Sequence, residues 1–384
     1  MDIVVGGRRK AKRAYGFDEV ALVPGPLVID ARDVDISWML GGRKFDIPII
    51  AAALDGAVNP ALAVTMSELG GLAVLNLDGI QARYEDAEAV LQKIADAPSE
   101  GIIHYIQDLY AAAPVQPELI KRRIRQIKDA GGVAAVSAAP HTARKAAEAA
   151  VEAGVDLFFV QSTVGTVRFE SSTISQFPVA DFCKNAPVPV IVGNTVGYQA
   201  TYELMEAGAA GILVGVGPGH ICTSRKVLGI GVPQISATAD CAAARDDFFE
   251  KNGKYIPIIT DGGIRNGGDI SKAIAAGADA VMLGSTIAAA AEAPAPGYSW
   301  GMATSSADLP RGTRIKVGVS GSLKDILLGP AHKDDGTMNL VGALRLAMGS
   351  LGAHNLREMQ TVEMIIAPAI ASEGKSLQRA QGVG

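Results

Sequence analysis

A single cysteine sits in "VGPGHICTSRKVLG", residues 216 to 229, between a glycine–proline–glycine turn and a Thr-Ser-Arg run. A turn of this composition exposes backbone N–H groups and lets a ligand come close. Arg225 and Lys226 follow it in sequence. Cations and oriented N–H groups both favour thiolate, so Cys222 reads as a nucleophile. Cys183 and Cys241 lie in helical segments and read as packing residues. A second motif, "TDGGIRNGGDI" (260–270), places Asp261 before two glycines. A carboxylate there suits a ribose diol, and the N–H groups around Gly263 suit a phosphate. "LGST" (283–286) adds Gly284 and Ser285 to the same anion cradle.

These residues need a scaffold that brings distant loops together, and the chain repeats one. "SELGGLAVLN", "KDAGGVAAVSA", "VEAGVDLFFVQS", "MEAGAAGILVGV" and "IAAGADAVMLGS" each run a helical pattern into glycine and then into an apolar stretch. Glycine ends helices, and a short unbroken apolar run is a strand buried on both faces. With "DIPIIAA", "VPVIVGN" and "YIPIITDGG", strands are expected at 47–52, 71–76, 133–138, 157–162, 188–193, 211–216, 257–262 and 280–285. Eight strands alternating with helices predict an α/β fold, a single (β/α)₈ TIM barrel; the alternative, an open doubly wound sheet, lacks its GxGxxG turn. Asp55, Asn76, Gln161, Asn194, Cys222, Asp261 and Ser285 then follow strand ends and converge on one face. Segment 77–132 reads as helical with no room for an inserted domain, 286–340 as a long mobile loop or flap, and 341–384 as a C-terminal helix and tail.

Composition excludes other classes. The 384 residues are 48% apolar and 20% charged, with a net charge of −5 and no long basic block, which argues against nucleic-acid binding. The most apolar stretch carries Asp279 and several glycines, so it reads as a buried strand and helix and not as a membrane span. Asp2 and the basic run at 8–13 are not followed by an apolar segment of the kind a signal peptide needs. Three cysteines fit a reducing compartment, and the expected location is cytoplasmic. The histidines outside the cysteine turn form no ligand spacing, so no transition-metal site is expected.

Seven segments in order, "FDEVALVPG" (17–25), "GNTV" (193–196), "GPGHICTSR" (217–225), "GVPQISA" (231–237), "DGGI" (261–264), "GS" (284–285) and "WGMATS" (300–305), resemble the IMP dehydrogenase/GMP reductase family. The resemblance implies that Cys222 attacks C2 of a purine mononucleotide such as IMP. It implies that Asp261 holds the ribose, that Gly263, Gly284 and Ser285 hold the phosphate, and that Gly301, Met302 and Ala303 face the base. Gln161, Ser162, Thr163, Asn194 and Gly215 would line the side of the nicotinamide dinucleotide, NAD in the dehydrogenases. A monovalent cation, potassium, would lie on carbonyls of Gly217, Gly219 and Cys222, with Glu373 and Gly374 supplied by a neighbouring subunit of a homotetramer.

The chain also departs from that pattern. No CBS modules are inserted. His220 replaces a phosphate-binding serine, Ser299 a tyrosine, Ser224 a threonine, Gln161 an aspartate and Leu54 a methionine. His220 has two readings, a phosphate donor or modulator of the thiol, or a satisfied turn histidine. The Arg-Tyr pair that activates water is missing between Met302 and Arg311, and Arg311 stands where Glu or Gln contacts the base. Arg311 and Arg314 are then the candidates for activating water; the alternative is that both are solvated loop charges. The expected activity is NAD-dependent oxidation of IMP to XMP, with Ser224 beside the nucleophile. GMP reductase and a non-catalytic purine nucleotide sensor are the alternatives.

Overall fold

In the computed structural model of the protein, residues 2–172, 177–306, 308–370, 372 and 374–382 are described, without the side chains of Asp2, Ala303, Thr304 and Arg379. Eight parallel strands close into a barrel: β1 (Ile49–Ala51), β2 (Leu72–Asn76), β3 (Ala135–Ala138), β4 (Leu157–Gln161), β5 (Val190–Thr195), β6 (Gly211–Val214), β7 (Ile258–Asp261) and β8 (Ala280–Leu283). Each lies inside the range expected from its apolar run, β5 alone reaching two residues further to Thr195. The ring closes where Val281 pairs with Ile49 and Leu283 with Ala51. Strand residues such as Ile50, Leu72, Val136, Phe159, Ile212 and Ile259 are fully buried, as expected for strands covered on both faces.

The crossover helices begin and end on the residues that their chemistry favours. α1 (Pro60–Glu68) starts with proline at its first position, and the Asn59 side chain accepts from Leu62 N at 2.8 Å. After the helices, Gly70, Gly131, Gly154, Gly208 and Gly277 take φ values of 82°, 81°, 82°, 98° and 108°, which explains the recurring glycine. A hairpin formed by Trp38–Leu40 and Arg43–Phe45 seals the N-terminal end of the barrel. A Cβ on its Gly41 would lie 2.7 Å from Leu157, at the start of β4. Polar chemistry is thereby left to the opposite end.

Segment 77–132 is helical, as read. It holds α2 (Ala87–Asp96), α3 (Ile102–Ala112) and α4 (Pro117–Asp129). α4 is the crossover helix, whereas α2 and α3 form a separate pair with its own apolar core of Val90, Leu91, Ile94, Ile106 and Trp300. The stretch 286–340 is more built than its Pro/Gly/Ser composition suggests. Tyr298–Ser299 pairs with Ile315–Lys316, Leu323–Leu328 is helical, and Trp300, Leu323 and Leu327 are buried. Among the described residues no helix is long and apolar enough to cross a membrane.

Candidate active site

The C-terminal ends of the strands open into one cavity of about 680 Å³. Its nucleophile is carried by the loop after β6. Gly215 has φ +147°, and a Cβ there would stand 2.3 Å from the Asp261 carbonyl oxygen, so only glycine lets this loop pass the end of β7. Cys222 N then donates to Gly219 O at 3.1 Å, closing the turn. The Cys222 thiol, partly exposed to the cavity, donates to Ser224 Oγ at 3.2 Å, and Ser224 is itself buried. Burial pushes the Cys183 and Cys241 thiols up to about 11 and about 12, so they stay protonated and inert. Arg225 and Lys226 are exposed, and Arg225 Nη2 donates to Val232 O at 2.9 Å. These cations face solvent and do not form a wall around the thiol.

The opposite limb of the cysteine site comes from the stretch read as flap. Cys222 and Gly312 form an antiparallel bridge. Thr223 N donates to Arg311 O at 3.0 Å, and Thr313 N donates to Ile221 O at 3.2 Å. Arg311 lines the cavity. Arg314 does not. Its guanidinium donates to the carbonyls of Ile94, Ala95 and Ala97 at the end of α2 and lies 4.9 Å from the Tyr298 ring centroid. Of the two arginines, geometry puts only Arg311 at the chemistry.

Asp261, at the end of β7, accepts from Asn194 Nδ2 at 2.7 Å through Oδ2. Burial at the cavity floor raises its pKa to about 6, the Asn194 bond opposing the shift. Its backbone oxygen accepts from Gln234 Nε2 at 3.1 Å. Gly262 and Gly263 follow at φ +87° and +79°, lying against Pro218 of the cysteine loop. Gly284, whose Cβ would meet Leu54 at 2.7 Å, and Ser285 complete the rim at β8. His220 lines the same end, and its pKa is lowered by desolvation and then by the nearby Arg265 guanidinium, so it is neutral near pH 7. A neutral imidazole has one N–H to give to a phosphate.

Gln161, Ser162, Thr163, Asn194, Gly217, Gly219, Gly301 and Met302 also line the cavity. Two of them spend their polar groups locally: Gln161 Oε1 accepts from Ser137 Oγ at 2.7 Å, and Ser162 Oγ donates to Val164 O at 2.8 Å. Of Ala303 only the backbone, in a short helical turn (Met302–Ser305), is described. Glu373 lies outside the described residues; Gly374 is on an exposed turn away from the cavity. No cluster of His, Cys, Asp or Glu suited to a metal occurs among the described residues.

Sequence reasoning missed the far lobe of the cavity. Asp78, Arg83 and Tyr110 line it, along with His141 and Thr142 at the start of a helix (Pro140–Glu152). Arg83 donates to the carbonyls of Asp78, Tyr110 and Ala113, and Tyr110 donates its hydroxyl to the buried Asp55 carboxylate. Desolvation raises Asp55, while bonds from Tyr110, Ile80 N and Asn76 oppose it. No local motif announces these residues, because packing between α3 and the end of β2 brings them together.

The chain is similar to known proteins over nearly its whole length. Residues 14–376 match the model of the IMP dehydrogenase / GMP reductase domain. A protein of Mycolicibacterium smegmatis described as an uncharacterized oxidoreductase is 36% identical over 95% of this chain and 99% of its own. The inosine-5'-monophosphate dehydrogenase of Cryptosporidium parvum is 31% identical, covering 92% of each. The crystal structure of an IMP dehydrogenase/GMP reductase-like protein from Corynebacterium glutamicum superposes with a TM-score of 0.89 at 34% identity, over 95% of this chain and 97% of that one. With a closed (β/α)₈ barrel, a cysteine loop facing its C-terminal cavity and these relatives, this chain belongs to the IMP dehydrogenase / GMP reductase family of oxidoreductases.

Proposed function

We propose that the chain is an NAD-dependent IMP dehydrogenase. The observation that carries this reading is the bridge between Cys222 and Gly312, which brings the neighbouring residue Arg311 to the wall of the cavity that holds the thiol. The Cys222 thiolate adds to C2 of IMP, forming a C–S bond. The C2 hydrogen leaves with its electron pair, and a thioimidate remains. NAD, when bound, supplies the hydride acceptor at its nicotinamide ring. Water then attacks C2, the C–S bond breaks, XMP leaves and the thiolate is restored. Arg311 donates hydrogen bonds to the attacking water and its developing oxyanion, and the proton passes to solvent. Ser224 Oγ, 3.2 Å from the sulfur, donates to it once it is thiolate. Asp261 takes the ribose hydroxyls, and the loops at Gly263, Gly284, Ser285 and His220 take the phosphate.

The cavity has room for a second ligand. Its far lobe continues from Asn194 and Gln161 to Asp78, Arg83 and His141, a polar donor and acceptor set that fits a dinucleotide. Backbone carbonyls of Gly217, Gly219 and Cys222 are the donor type a large monovalent cation takes. We assign potassium to that turn, with Glu373 and Gly374 of a neighbouring subunit completing it in a homotetramer.

The rival reading is GMP reductase, which needs no hydrolytic water. The lack of an Arg-Tyr pair between Met302 and Arg311 favours it, and the lack of any glutamate on the cavity wall among the described residues weighs against it. Two assays separate them, both with potassium present. Reduced nicotinamide forming from IMP and NAD supports the dehydrogenase; its loss from GMP and NADPH alone makes the chain a reductase. Silence in both leaves a nucleotide sensor.

A further inference from the structure

The pair α2–α3 is not part of the barrel repeat, yet it is tied to the cysteine loop through a single segment. Its apolar core takes in Trp300 and Ala295, so the chain enters the segment from a fixed point. Gln107 of α3 donates to Ser306 O at 2.7 Å. At the other end of the segment, Arg314 donates to Ala95 O at 3.2 Å, Ala97 O at 2.8 Å and also to Ile94 O. These carbonyls belong to the last turn of α2 and its cap, where a helix has no N–H partners of its own and carries partial negative charge. Two residues before Arg314, Gly312 is buried and bridged to Cys222. Arg314 therefore spends its charge on a helix end and not on substrate.

We propose that α2–α3 is a fixed platform for residues 311–316, and that Arg314 is the positioning residue that pins this segment beside Cys222 before any nucleotide binds. The backbone of Arg311 is then held beside the cysteine loop by a chain of contacts that begins at the C-terminus of α2. The inference rests on Cys222 being the reacting group.

Hydrogen exchange of the full chain without nucleotide tests it first. Thr223 and Thr313, whose N–H groups make the bridge, are expected to exchange at least about 100-fold slower than in an unstructured chain already in the absence of IMP. Unprotected amides that become protected only on adding IMP would overturn the proposal. Alkylation by iodoacetamide tests the pin, since the other two cysteines are held protonated. Arg314→Gln should raise the Cys222 alkylation rate about tenfold and lower kcat with KM for IMP held, while Arg314→Lys stays within about threefold of the parent. An unchanged alkylation rate in a folded Arg314→Gln protein refutes the pin. A raised rate with no turnover in either nucleotide assay leaves the platform standing and removes the dehydrogenase reading. Should Arg314→Gln fail to fold, the exchange result on the unaltered chain decides.

Discussion

Asn194 Nδ2 donates to Asp261 Oδ2 at 2.7 Å, joining the end of β5 to the end of β7 across the floor of the cavity. This bond orients the carboxylate that we assign to the ribose, and burial still raises its pKa from 3.8 to about 6. The folded chain thus holds the Asp261 proton to a higher pH than the unfolded chain does. The cost of ionising it is absent below about pH 4, grows from there to about pH 6 and is complete above. Asp261→Asn should therefore raise Tm by about 2–4 °C at pH 7 and little at pH 4. The same substitution should weaken IMP binding roughly 10–100-fold at pH 7, measured by calorimetry. A Tm difference independent of pH would remove the electrostatic account.

Arg311 carries the hydrolytic half of the proposed reaction. Arg311→Gln should lower steady-state kcat about 100-fold while leaving the first hydride transfer intact. Rapid mixing with IMP and NAD should then show a burst of reduced nicotinamide close to one per site, followed by slow turnover. Loss of the burst together with kcat would place Arg311 in binding or hydride transfer.

Much of this was legible in the sequence for identifiable physical reasons. Strands such as 157–161 and 190–195 are buried on both faces, so their apolar runs mark them with no help from the fold. Cys222, Asp261 and Ser285 stand just after such runs, and barrel geometry alone gathers them. The far wall was not legible. Arg83 and Tyr110 meet because α3 packs across the end of β2, and nothing periodic in the segment reports that. Arg314 read as a candidate for activating water because the flap lacks an Arg-Tyr pair, yet its role is set by a helix end more than two hundred residues earlier. Composition misled at 286–340, where small and polar residues surround the buried Trp300 and Leu327.

Gly215 is the tightest backbone passage in the site. Gly215→Ala would put a methyl group 2.3 Å from the Asp261 carbonyl at a φ of +147°, and the loop must shift. A loss of about 2–3 kcal/mol in stability is expected by urea titration, with IMP affinity falling at the same time. Stability kept within about 0.5 kcal/mol would contradict this packing.

Tyr110 is part of the far lobe's wall. Tyr110→Phe removes the hydroxyl that donates to Asp55, leaving that buried carboxylate with Ile80 N at 2.9 Å and Asn76 Nδ2 at 3.1 Å. The expected cost is about 1–2 kcal/mol in urea denaturation at pH 7. Because we propose that lobe for NAD and not for IMP, KM for NAD should rise while KM for IMP holds.

The most direct test of the central claim is to quench the protein during turnover of IMP and NAD and weigh the peptide that carries Cys222. The account predicts a purine nucleotide covalently attached to Cys222, and neither adduct nor turnover in Cys222→Ala. Turnover by Cys222→Ala, or turnover of the unaltered chain with the Cys222 peptide always unmodified, would contradict it.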